Sequence, residues 1–85
     1  MIKVLDFYAK WCSPCKTMLP IFDELKLEFP DYEFDKIDID ESDEAAKYGI
    51  SSVPTFVILK NGVEVSRKNG IMTKDTFKTW LSNIN

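Results

Sequence analysis

The run Val4-Leu5-Asp6-Phe7-Tyr8-Ala9-Lys10-Trp11-Cys12-Ser13-Pro14-Cys15-Lys16 decides how this chain folds. Its first half belongs to a near-continuous apolar stretch over residues 2–8, the pattern of a strand covered on both faces. After Cys12 the period becomes helical: Met18, Phe22, Leu25 and Phe29 fall on one stripe. Pro14 suits the first helical turn, where a missing N–H costs nothing. Pro20 lies inside the helix and is expected to kink it, and Pro30 helps to end it.

Beyond this helix, residues 32–39 alternate as a second strand. Asp40 to Lys47 reads as a short helix with acids at its start, closed by Gly49. Thr55 to Leu59 is a β-branched and aromatic strand, and Asn61-Gly62 turns it into Val63-Glu64-Val65. Gly70 breaks that strand. Thr73 then caps a last helix, with Asp75 in its first turn and Phe77, Trp80, Leu81 and Ile84 on its apolar face. The order βαβαββα implies a right-handed parallel crossover followed by an antiparallel hairpin. The expected fold is α/β, a four-stranded mixed sheet with helices on both faces.

The 85 residues leave room for one domain, 1–85. Net charge is −3, whereas a nucleic-acid binder needs a basic excess on one face. No apolar run approaches the roughly 20 residues of a membrane span. An acid interrupts the apolar stretch at Asp6, so the start does not read as a signal peptide. The expectation is a cytoplasmic protein, where a cysteine pair is metal-binding, catalytic or sensing rather than structural.

Cys12 and Cys15 are the only cysteines, and histidine is absent. Zinc normally takes four ligands of these kinds, so a complete site within one chain is not available, although zinc shared between chains is. Redox exchange fits better. Its attacking sulfur must be a thiolate, and the start of a helix favours that anion. Cys12 lies nearer that start and is the expected attacker. Cys15, a turn further in, is expected to be more buried and to resolve the mixed disulfide.

Resolution needs a proton acceptor, and without histidine an acid must serve. Ile2, Val4, Asp6 and Tyr8 share one strand face, so Asp6 interrupts an apolar row. Lys36 does the same beside Tyr32 and Phe34 on the second strand. Pairing of the two strands would make Asp6 and Lys36 a partly buried pair beneath the helix that carries the thiols. Burial would raise the Asp6 pKa and Lys36 would oppose that shift. Equally, Asp6 could end its strand in solvent and Lys36 could snorkel outward.

These motifs together resemble the thioredoxin family. The active-site block Val4–Lys16, Pro20, Lys36-Ile37-Asp38-Ile39-Asp40, Tyr48-Gly49-Ile50 through Val53-Pro54-Thr55, Lys60-Asn61-Gly62 and Gly70 carry the resemblance, which covers essentially the whole chain. It implies a protein-disulfide reductase with Cys12 as nucleophile, Cys15 as resolving thiol, Asp6 as buried acid and Lys36 beside it. It implies that Pro54 is a cis-proline against the dithiol and that Val53 hydrogen-bonds an extended substrate. Trp11, Ser13, Pro14, Ile50, Val53, Pro54 and Gly70 would form the substrate-binding surface. The implied partners are disulfide-containing proteins and a thioredoxin-reductase-type electron donor. No cofactor is implied beyond the Cys12–Cys15 disulfide, no metal, and a monomer is expected.

Two departures stand out. Ser13 occupies a position where the family usually has glycine, and its hydroxyl could bond a sulfur. The chain also starts almost directly at the central strand, without the further strand and helix with which thioredoxins usually begin. That compact length raises a glutaredoxin-like, glutathione-using enzyme as the alternative. Against it, Ser-Pro between the cysteines is thioredoxin-like, and only Lys10 and Lys16 are candidates to meet the tripeptide's carboxylates. A non-enzymatic interaction module would be marked by a lost cysteine or a lost Pro54, and both are kept.

Overall fold

The computed structural model describes residues 1–84. Strands β1 (Ile2–Tyr8), β2 (Glu33–Asp38), β3 (Thr55–Lys60) and β4 (Val63–Asn69) alternate with helices α1 (Ser13–Glu28), α2 (Glu44–Lys47) and α3 (Lys74–Ser82). The sheet order is β2-β1-β3-β4, with β1 parallel to β2 and antiparallel to β3. The doubly apolar strand is therefore central. One of its faces, through Ile2 and Val4, packs with Phe22 and Leu25 of α1 and Phe77 and Leu81 of α3. The other, through Leu5 and Phe7, packs with Ala45 and Tyr48 at α2.

Phe22 is the hub of the larger core. Its ring centroid lies 5.2 Å from Phe34 and 6.3 Å from Phe56, so α1 rests on both neighbours of β1. Outside the core, the exposed flank of α1 is acidic and finds lysines on other elements. Lys74 Nζ lies 3.3 Å from Glu24 and 2.6 Å from Glu28, while Lys36 Nζ lies 2.7 Å from Asp23. Pro20 sits within α1 and removes the N–H that would otherwise reach the Lys16 carbonyl.

Local signals account for the joints. Asn61 (φ 52°) and Gly62 (φ 83°) both take the left-handed backbone of a type I′ turn, which side chains other than Asn, Asp and Gly resist. Thr73 Oγ1 accepts the Thr76 N–H at 3.1 Å and caps α3. Thr73→Ala is expected to cost about 1 kcal/mol, read as a lower urea midpoint at unchanged slope.

β2 and α2 differ from expectation in their bounds, and β3 runs one residue past Leu59 to Lys60. β2 is shorter by one residue at each end than 32–39. α2 begins at Glu44 rather than Asp40, because Asp38 Oδ1 accepts the Asp40 N–H at 2.9 Å and holds the chain in a turn. β4 ends at Asn69, directly before the Gly70 expected to break it, with a bulge opposite Ile58/Leu59 that lets the pairing resume.

Candidate active site

The site is built where β1 ends and α1 begins. Ala9, Cys12 and Cys15 form a small buried cluster with Tyr8, Ile39 and Val53 against it. Cys12 is the N-cap of α1, in extended conformation, and its Sγ accepts the Cys15 N–H at 3.2 Å. The sulfur thus sits on the unpaired N–H groups of a helix start, where negative charge is stabilised. Cys12 and Cys15 are joined in a disulfide with Cα atoms 5.3 Å apart. Both are buried in this oxidised form, at 4% exposure for Cys12 and 1% for Cys15. The difference in access expected between them is therefore small here, because the bridge folds Cys12 Sγ inward, 3.7 Å from the Val53 carbonyl oxygen.

Around the bridge, Ser13 and Pro14 are exposed and open the first turn of α1. Among the described residues no hydrogen bond runs from the Ser13 hydroxyl to a sulfur. The Ser13 carbonyl instead accepts from Thr17 Oγ1 at 3.4 Å. The Val53–Pro54 peptide is cis, with Val53 half-buried and Pro54 buried. The Gly70 N–H donates to the Pro54 carbonyl at 2.9 Å, tying the end of β4 to this loop, and Gly70 has φ 85°. Ile50 is half-buried on the same loop.

Trp11 is 68% exposed, so core packing does not describe it. Its Nε1 donates to Asp40 Oδ2 at 2.9 Å, and the neighbouring Lys10 Nζ lies 3.1 Å from Glu41 Oε1. These contacts lash the dithiol loop to the turn after β2. Asp40 and Glu41 were not singled out from the sequence, since their partners lie about thirty positions away.

Asp6 and Lys36 are register partners on β1 and β2. Asp6 is 1% exposed and neither carboxyl oxygen has a hydrogen-bond partner among the described residues, so the solvent-facing alternative fails for it. Burial raises its pKa from 3.8 to about 7, with Lys36 pulling it down and Asp23 pushing it up. Lys36 corrects the expectation of a partly buried pair. Its side chain is 36% exposed and its ammonium binds Asp23 of α1, as a snorkelling lysine would.

A disulfide held at a helix start and beside a cis-proline loop, in a chain that also buries an unpartnered carboxyl on its central strand, defines a dithiol redox protein of the α/β class. The family model described as Thioredoxin matches residues 1–83. Thioredoxin of Chlamydia trachomatis is 42% identical over 80 residues, covering 93% of this chain and 78% of the relative. That of Mycoplasma genitalium is 46% identical over 72 residues, covering 84% and 71%. The X-ray structure of Fasciola hepatica thioredoxin superposes with a TM-score of 0.91 at 38% identity, covering 99% of this chain and 81% of that one. The chain belongs to the thioredoxin family. It is a thiol–disulfide oxidoreductase with protein-disulfide reductase activity, and Cys12–Cys15 is its redox-active disulfide. Among the described residues, no helix is long and apolar enough to cross a membrane.

Proposed function

We propose that the reduced protein attacks disulfides of substrate proteins through the Cys12 thiolate. A Cys12–substrate bond forms as the substrate disulfide breaks, and the first substrate sulfur leaves as thiolate. Cys15 then gives its proton to the Asp6 carboxylate, directly or through a water, and its thiolate attacks Cys12 Sγ. The substrate's second sulfur leaves, the Cys12–Cys15 bridge closes, and the dithiol has passed two electrons to the substrate. The observation that carries this assignment is Cys12 at the N-cap of α1, its sulfur on the Cys15 N–H.

Support for Asp6 comes from its burial, its lack of partners and a pKa of about 7, which suits a group that must take and return a proton near neutrality. Lys36 acts beside it by lowering that proton affinity. Trp11, Ser13, Pro14, Ile50, Val53, Pro54 and Gly70 form the surface that receives the substrate. The Val53 backbone bonds an extended substrate segment as an added strand. The protein works as a cytoplasmic monomer, and a thioredoxin-reductase-type donor returns the electrons.

Asp6→Asn tests the proton step. Insulin-disulfide reduction near neutral pH is expected to slow about tenfold, a modest loss because water can substitute for the carboxylate. The inflection of the pH–rate profile near 7 should vanish while the fold persists. A profile identical to that of the unaltered protein removes Asp6 from the mechanism. Reduction of the oxidised protein by a panel of donors tests the electron source, and turnover with glutathione alone would displace the reductase.

A further inference from the structure

Lys36 has two carboxylates within its reach. Asp6 is its register partner on the neighbouring strand, and Asp23 lies across the seam between α1 and the sheet. The lysine binds the outer one, 2.7 Å from Asp23 Oδ1, and the inner carboxyl keeps both oxygens unpartnered. The physical balance explains the choice. The Asp23 side chain is 60% exposed and keeps much of its contact with water, whereas an ionised Asp6 must first lose its hydration. An exposed pair of this kind contributes little, so the preference is easily tipped.

We propose that Asp23 is a positioning residue for the buried acid: it anchors the Lys36 ammonium on the outer surface and keeps that cation from neutralising the Asp6 carboxylate. The proposal deepens the reading of Asp6 as proton acceptor and rests on it for its role in turnover. The remaining surroundings leave these as the charges that matter. β3 presents Phe56 opposite Asp6, and α3 brings Phe77, Trp80 and Leu81 to this face. The lysines of α3, Lys74 and Lys78, are taken by Glu24 and Glu28 further along α1, and its one acid, Asp75, is exposed in its first turn. On α1 itself Lys16 is exposed, and Cys15 is held in the bridge. Besides this anchoring, the Asp23 charge acts directly, raising the Asp6 pKa while Lys36 lowers it.

The consequence is a tunable acid. With Asp23 in place, Asp6 exchanges its proton near neutrality. Without it, the freed ammonium can swing to Asp6 and hold it ionised, so that it accepts a proton from Cys15 less readily.

The test follows the Asp6 carboxyl carbon by NMR titration of the oxidised protein, in which neither thiol titrates. Asp23→Asn is expected to move the Asp6 midpoint down by about one pH unit, as an approaching cation does. Lys36→Met should move it up. In the Lys36→Met background, Asp23→Asn should produce a clearly smaller downward shift, the remainder of its direct repulsion, because the lysine through which Asp23 mainly acts is gone. Asp23→Glu, which keeps the anchor, should restore a midpoint close to that of the unaltered protein. Two outcomes overturn the proposal: no displacement in Asp23→Asn, or an equal downward displacement with and without Lys36, which would make Asp23 a bare background charge. If the midpoints move as expected while the pH–rate profile of disulfide reduction does not follow, the anchoring stands and the proton-acceptor role of Asp6 falls.

Discussion

Cys12→Ser is expected to abolish protein-disulfide reduction, a loss on the order of a thousandfold or more, the scale on which removal of a covalent nucleophile acts. Cys15→Ser is expected to fail differently. Its Cys12 thiolate still attacks, but a serine hydroxyl cannot cleave the resulting bond, so substrate accumulates on the protein as a mixed disulfide. The adduct is read as a mass increase that dithiothreitol reverses. The asymmetry comes from position: Cys12 caps α1 and holds its sulfur on the Cys15 N–H, whereas Cys15 lies inside the first turn. Full insulin reduction by the Cys12 variant, or adducts formed through Cys15 instead, would reverse the assigned roles.

The architecture was legible because a few residues admit one reading each. A strand apolar on both faces can only be central, and β1 lies between β2 and β3. Asn61-Gly62 demands a tight hairpin, and Thr73 before a helical stripe demands a cap. The acids after β2 were ambiguous, because an aspartate can start a helix or close a turn on its own backbone. Asp38 chose the turn and delayed α2.

The charge pairing of the site was less legible, for a reason of dimension. Alternation along β1 and β2 brings Asp6 and Lys36 to one register position, as the pairing shows. It carries nothing about which helix crosses above that position. Asp23 arrives from α1, so the lysine's partner depends on the packing of a third element. Trp11 with Asp40, and Lys10 with Glu41, are joined in the same way across distant segments.

Asp6→Asn is expected to make the oxidised protein more stable above neutral pH. The sign follows from proton linkage. An unfolded chain ionises Asp6 near 3.8, whereas the folded protein holds the proton up to about 7. Between those values the folded state carries more protons, so its stability falls as pH rises. The interval from 3.8 to about 7 corresponds to about 4 kcal/mol, fully lost above the folded value. Asparagine is neutral throughout and never incurs that loss. Its buried amide lacks partners as the neutral carboxyl does, so those two costs largely cancel and a gain of about 4 kcal/mol at pH 8 remains. At pH 4 the gain should disappear, since Asp6 is then neutral in the folded protein as well. Urea midpoints at the two pH values measure both effects, and equal midpoints for the two proteins at pH 8 would refute the buried, proton-holding carboxyl. The same substitution is expected to slow turnover, so stability and activity move in opposite directions at one atom group. A carboxyl that destabilises the fold where it ionises is what a proton acceptor inside an apolar seam must be. Its cost and its use therefore inflect at the same pH.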